Sequence, residues 1–211
     1  MSDLTIYGTY ASRATRNIWM ALELGIDYSL ESVDTRKGEQ KGDDYLAVNP
    51  NARVPALRDG DLVLWESLAI NLYLAKKYGG ELAPLSLEDE ARAIQWSMWA
   101  LTEAESHCVV IIQNLMGHAG ITDEMLETAH ADVARPLKVL EGALQGRDHL
   151  LGAEFTVADL NVASVLGTLQ RAKYDLGPYP KVAAWLTRCT ARPAAKKMAE
   201  ERAAYLAAQK D

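Results

Sequence analysis

The stretch from Asn49 to Ser67, NPNARVPALRDGDLVLWES, limits the possible folds of this chain more than any other. Pro55 has no backbone N–H and biases Val54 to an extended conformation, which leaves the N–H and C=O of Val54 to pair with an incoming extended peptide. That is a peptide-docking edge rather than the interior of a strand. A cis bond suits an X-Pro step in a tight turn ahead of a strand, and the local sequence leaves the isomer open. Asp59-Gly60-Asp61 is then a hairpin signal before the strand-like run Leu62 to Trp65.

Ser67 stands where an N-cap belongs, ahead of Leu68, Ile70, Leu72, Tyr73 and Leu74 at helical spacing. A helix N-terminus offers unpaired N–H groups and the positive end of the macrodipole, so it suits a ligand carboxylate, while Glu66 beside it suits an ammonium. Together they predict recognition of an amino acid head group. A plain cap beside a solvated carboxylate accounts for the same two residues on local grounds.

Upstream, Leu4 to Tyr7 alternates like a strand, Gly8-Thr9-Tyr10-Ala11-Ser12 is a loop, and a helical pattern runs from Arg13 to a stop at Gly25. Ser12 therefore lies at the mouth of the first helix, either as its cap or as a hydroxyl that donates to a thiolate held there. A thiol with an ordinary pKa of about 8.5 is mostly protonated at neutral pH. Hydrogen bonds, the helix dipole and a cation such as Arg13 or Arg16 favour its reactive anion. Ile26 to Val33 predicts a second strand, followed by a polar stretch from Asp34 to Asp44.

After Gly79-Gly80 the pattern is helical throughout, in segments from Glu88 to about Gly117, from Thr122 to Leu144 with a kink or split near Pro136, and from Val182 to Thr190. Thr156 with Asp159 three residues later makes a capping box, and Phe155 with Leu160 a hydrophobic staple. The residues from Ala194 to Asp211 are charged and Ala-rich, which predicts a surface helix.

These motifs, in this order and spacing, resemble the cytosolic glutathione transferases, in a serine-type and bacterial-like form. The resemblance rests on Asn49-Pro50, Val54-Pro55-Ala56-Leu57 and Leu64-Trp65-Glu66-Ser67-Leu68-Ala69-Ile70, and it covers essentially the whole chain. It implies an α+β protein: a thioredoxin-like glutathione-binding domain over 1–79, a linker over 80–87, and an all-helical domain over 88–211 that contributes the electrophile pocket. Val54 would pair with the cysteinyl part of glutathione, and Glu66-Ser67 would hold its γ-glutamyl end. Gln40 and Lys41, with Arg53 as a second candidate, lie where the family places side chains on the glycyl carboxylate. Ser12 aligns best with the activating hydroxyl. Thr9 and Tyr10 share its loop, Tyr7 lies where tyrosine-type branches carry their phenol, and the loop has no cysteine. Tyr10, Thr102 and His107 would line the electrophile pocket.

The implied activity is addition of the glutathione thiolate to a small hydrophobic electrophile, in a detoxification role and as a homodimer. Glutathione-dependent peroxide or disulfide reduction, isomerisation, dehalogenation and a non-catalytic glutathione-binding module are the alternatives. A net charge of −7 without a Lys/Arg cluster argues against nucleic acid as a partner. No apolar run approaches membrane-spanning length, and MSDLTIYG lacks a signal-peptide layout, so a cytoplasmic location is expected. Cys108 and Cys189 are far apart and read as buried small hydrophobes, while His107, His118, His130 and His149 show no metal-ligand spacing.

Overall fold

The computed structural model describes residues 4–209, which divide into two compact units: the residues up to Ala83 together with those from Arg192 onward, and residues 84–191. In the first unit a four-stranded sheet runs in the order β2-β1-β3-β4, from β1 (Leu4–Tyr7), β2 (Ser29–Glu31), β3 (Ala56–Asp59) and β4 (Leu62–Trp65). β1 pairs parallel to β2 and antiparallel to β3, with Tyr7 opposite Glu31 on one side and Ala56 on the other. The strand expected over 26–33 shortens to three residues. Its pairing with β1 extends only over Thr5 to Tyr7, and Val33 and Asp34 then turn inward and are buried.

Helix α1 (Ala14–Leu24) follows β1, and Gly25 closes it in the left-handed conformation at φ 63°, where its missing Cβ removes the steric cost. Ala14 through Ala21 are buried save Thr15, because α3 (Ser67–Tyr78) and α9 (Pro193–Ala207) both pack against α1. The short α2 (Asp43–Leu46) places Tyr45 in a cluster with Tyr7, Val33, Val48 and Ala56, against which Val54 and Val63 pack. The Tyr45 hydroxyl donates to the Arg53 carbonyl at 2.7 Å, and burial raises its pKa to about 12. α9 corrects the expected division of the chain. The final helix is a surface helix, as its composition suggests, but it belongs to the unit that carries the sheet.

The second unit is all-helical among the described residues: α4 (Leu87–Trp99), a π-helical segment (Ala100–Glu105), α5 (Ser106–Leu115), α6 (Asp123–Ala143), α7 (Val157–Arg171) and α8 (Pro180–Thr190). α7 is buried along most of its length. Asp159 holds its start, accepting from the Thr156 N–H at 3.1 Å, the Leu150 N–H at 2.9 Å and the Trp185 Nε1–H at 2.8 Å. Burial pushes the Asp159 carboxyl pKa upward. Pro136 lies inside α6 without splitting it. No described helix is long and apolar enough to cross a membrane.

Candidate functional site

The loop after β1 folds around its own polar groups. The Ser12 hydroxyl donates to the Thr9 carbonyl at 2.8 Å, and its oxygen accepts from the N–H groups of Thr9 and Ala14, each at 3.2 Å. Arg13 occupies the cap position of α1 without a side-chain capping bond, so Ser12 serves the helix mouth from one residue further out. Gly8 makes this turn possible. Its φ is +142°, and a Cβ there would lie 2.8 Å from Ala14 Cβ, 3.1 Å from Ser12 Oγ and 3.6 Å from Val54 Cβ. The Ser12 hydroxyl and the Val54 side chain thus border one glycine-lined spot.

The other hydroxyls of this region have other work. Tyr7 is buried and its oxygen accepts from Arg58 Nε at 3.1 Å. Thr9 is buried and its oxygen accepts from the Ala11 N–H at 3.3 Å. Tyr10 donates to Glu201 Oε2 at 2.9 Å, and burial together with that carboxylate raises its pKa far above the ordinary phenol value. Tyr10 therefore stays protonated and is bound to α9, which leaves Ser12 as the half-exposed hydroxyl of the loop.

Val54 precedes Pro55 through a cis peptide bond. Neither its N–H nor its C=O has a hydrogen-bond partner among the described residues, whereas the neighbouring Arg53 carbonyl accepts from both Tyr45 and Asn49 Nδ2 at 2.7 Å. Side chains lock the backbone on one side of the step and leave Val54 available to an extended peptide.

At the head of α3 the expected roles shift by one residue. Glu66, not Ser67, takes the cap position, and it does so with φ 73° and ψ 107°, a conformation that a residue with a Cβ adopts at a cost of about 1–3 kcal/mol. Its carboxylate is exposed. Ser67 is the first helical residue and is 5% exposed. Its oxygen accepts from Arg16 Nη1 at 3.2 Å, and its proton has no acceptor among the described residues. Behind it, Asn17 Nδ2 donates to the Ser67 carbonyl at 2.8 Å and to Asn71 Oδ1 at 2.7 Å. A hydroxyl whose proton has no acceptor among the described residues, the positive end of α3 and a buried guanidinium converge where a carboxylate would dock, beside an exposed carboxylate suited to an ammonium.

The remaining predicted residues fall on either unit. Lys41 and Arg53 are exposed, with no side-chain partner among the described residues, and Gln40 has a buried Oε1 without one. Thr102 lies in the π-helical segment and donates back to the Met98 carbonyl at 3.1 Å, while His107 sits half-buried at the start of α5. Cys108 and Cys189 are both buried and form no disulfide among the described residues. No group of three or more His, Cys, Asp or Glu side chains placed to hold a metal occurs among the described residues.

Sequence reasoning missed the Asn17–Asn71 pair and Glu201. Asn17 and Asn71 stand on two separate helices, and nothing local marks their meeting. Glu201 lies 191 residues from Tyr10.

Known proteins place the chain in a family. The family model for the glutathione S-transferase N-terminal domain matches residues 2–76, and that for the C-terminal domain matches residues 102–193. Glutathione S-transferase 3 of Zea mays is 36% identical over 93% of both chains, and glutathione S-transferase theta-1 of Bos taurus is 34% identical over 89% of this chain and 82% of its own. The crystal structure of glutathione transferase URE2P6 from Phanerochaete chrysosporium in complex with oxidized glutathione superposes with a TM-score of 0.85 at 28% identity, covering 96% of this chain and 97% of that one. With both halves matched in order and relatives above 30% identity along most of its length, this chain belongs to the glutathione S-transferase family and is an enzyme whose cosubstrate is glutathione.

Proposed function

We propose that the enzyme holds the glutathione sulfur as a thiolate against Ser12 and adds it to a small hydrophobic electrophile. The observation that carries this reading is the close approach of the Ser12 hydroxyl and the Val54 side chain to the same residue, Gly8, which brings the mouth of α1 beside the Val54-Pro55 step. Val54 pairs its backbone with the cysteinyl residue of glutathione, which brings the sulfur to the mouth of α1. The Ser12 proton then turns from the Thr9 carbonyl to the sulfur. Thr9 keeps the bond that its carbonyl accepts from the Ser12 N–H at 3.0 Å, so the exchange strands no buried acceptor. Two backbone N–H groups already donate to the Ser12 oxygen, which polarises the hydroxyl and strengthens it as a donor to an anion.

Glu66 takes the ammonium and Ser67 the carboxylate of the γ-glutamyl end, while Gln40, Lys41 and Arg53 serve the glycyl carboxylate. Holding glutathione at both ends converts a bimolecular encounter into a positioned attack. The new bond forms between sulfur and the electrophilic carbon, and the leaving group departs with the displaced electron pair. Thr102 and His107 are the residues of the helical unit assigned to the electrophile, and a π-helical turn such as the one that carries Thr102 is common at functional sites.

The reading includes a homodimer in the cytoplasm with a detoxification role. The dimer is supported by Leu62 and Trp65 on the edge strand β4 and Tyr78 at the end of α3, apolar side chains about two-fifths exposed that a second copy would cover. The activity test is conjugation of glutathione to an activated aryl halide. Wild type should turn over, and Ser12→Ala should lose about 10²-fold or more in kcat/KM. Equal kcat/KM in the two proteins would overturn the assignment.

A further inference from the structure

We propose that Glu201, on the C-terminal helix α9, is a positioning residue for the thiol-activating hydroxyl of Ser12. The inference rests on the reading of Ser12 given above. Tyr10 lies inside the Thr9-to-Ser12 turn, between the carbonyl that accepts the Ser12 proton and the hydroxyl itself. The phenol of Tyr10 donates to Glu201 Oε2 at 2.9 Å, and its ring stands 5.9 Å from that of Tyr205, one helical turn further along α9. The Tyr10 phenol also hydrogen-bonds with Tyr28, so the turn is held from outside by one face of the final helix together with Tyr28.

The same helix end reaches the segment proposed for the glycyl carboxylate. Gln209 Oε1 accepts from Arg36 Nη2 at 2.8 Å, and Arg36 in turn donates through Nε to Asp34 Oδ1 at 3.1 Å and through Nη2 to Asp34 Oδ2 at 2.9 Å. Glu39 accepts from the Asp34 N–H at 2.6 Å, directly before Gln40 and Lys41. At its other end α9 is fixed to α1, because Arg192 donates to both carboxylate oxygens of Glu23 at 2.9 Å. One helix, anchored at the far end of α1, therefore contacts both the Ser12 turn and the 34–41 segment. A hydroxyl on a loop is placed only as well as the loop is held, and Glu201 supplies one such hold through Tyr10.

Two properties make the pair testable. Glu201 borders a cavity of about 710 Å³ between the end of α1 and the start of α9, together with Tyr28, Arg192 and Lys197, so shortening its side chain removes little packing. Tyr10→Phe deletes only the phenolic oxygen and keeps the ring against Tyr205.

The experiment measures the pKa of enzyme-bound glutathione by ultraviolet titration, and kcat and KM for glutathione, in wild type, Glu201→Ala, Glu201→Gln, Tyr10→Phe and Ser12→Ala. Loss of one net hydrogen bond should lower kcat by about 2- to 10-fold in Glu201→Ala and Tyr10→Phe. The bound thiol pKa should rise part of the way toward its value in Ser12→Ala, and KM should stay within about twofold. Glu201→Gln keeps an acceptor for Tyr10 and should stay close to wild type. Wild-type thiol pKa and kcat in both Glu201→Ala and Tyr10→Phe, with Ser12→Ala shifted, would overturn the role of Glu201 and leave Ser12 in place. An unshifted Ser12→Ala would overturn the Ser12 reading and the positioning role with it. If Glu201→Ala fails to fold, Tyr10→Phe decides by the same criteria when read against Tyr28→Phe, which removes the other partner of the Tyr10 phenol and should stay close to wild type.

Discussion

Removing the hydroxyl of Ser67 should separate ligand binding from folding. The Ser67 oxygen accepts from Arg16 Nη1 at 3.2 Å, and in the function proposed above its proton is the donor to the γ-glutamyl carboxylate. A hydrogen bond to a charged group contributes about 1.5–3 kcal/mol, so Ser67→Ala should weaken glutathione binding by roughly 10- to 150-fold. The fold loses less. The bond from Arg16 disappears, but alanine favours the first turn of α3 by about 0.5 kcal/mol over serine, which leaves a net cost of about 1–2.5 kcal/mol. For a chain of this size that is a fall in Tm of about 2–10 °C. Isothermal titration with glutathione reads the first quantity and thermal unfolding the second. A glutathione analogue lacking the γ-glutamyl carboxylate should bind wild type and Ser67→Ala equally well. A Kd for glutathione within twofold of wild type would refute the carboxylate role of Ser67.

Two further outcomes follow from the same unit. Glu66→Gly relieves the positive φ at the head of α3, so Tm should rise by about 1–3 °C while glutathione affinity falls several-fold for want of the ammonium partner; a falling Tm would show that the conformation carries no strain. At Asp59, burial pushes the carboxyl upward, but the Lys77 ammonium and the Tyr73 and Tyr78 hydroxyls outweigh it and hold the pKa below its ordinary value. A depressed folded value means that the stabilisation is fully present above the unfolded pKa of about 3.9 and is lost as pH falls through the folded one. The Tm difference between wild type and Asp59→Asn should therefore be largest near neutrality and shrink below about pH 4, and a difference independent of pH would contradict it.

Much of the thioredoxin-like unit could be read from local sequence, because its signals are short-range. The Val54-Pro55 step, the Asp59-Gly60-Asp61 hairpin and the alternation of Leu4 to Tyr7 each act within a few residues, and each appears in the structure where the pattern put it. The head of α3 was readable to within one residue. A serine before an apolar helix reads as a cap, whereas the structure spends backbone strain at Glu66 to bring Ser67 into the first turn. What escaped depends on long-range packing. Arg16 reaches across 51 residues to Ser67, Asn17 across 54 to Asn71, and Glu201 across 191 to Tyr10. Tyr10 shows the consequence. Its place in the loop suggested an electrophile contact, but its hydroxyl is committed to a helix that the sequence assigned to the other domain.

The direct test of thiol activation is the ultraviolet titration of enzyme-bound glutathione against pH in wild type and Ser12→Ala. Wild type should carry thiolate well below the free thiol's pKa of about 8.5, with Ser12→Ala binding glutathione with its thiol pKa returned most of the way to that value. Superimposable titrations of the two proteins would place the activating group elsewhere.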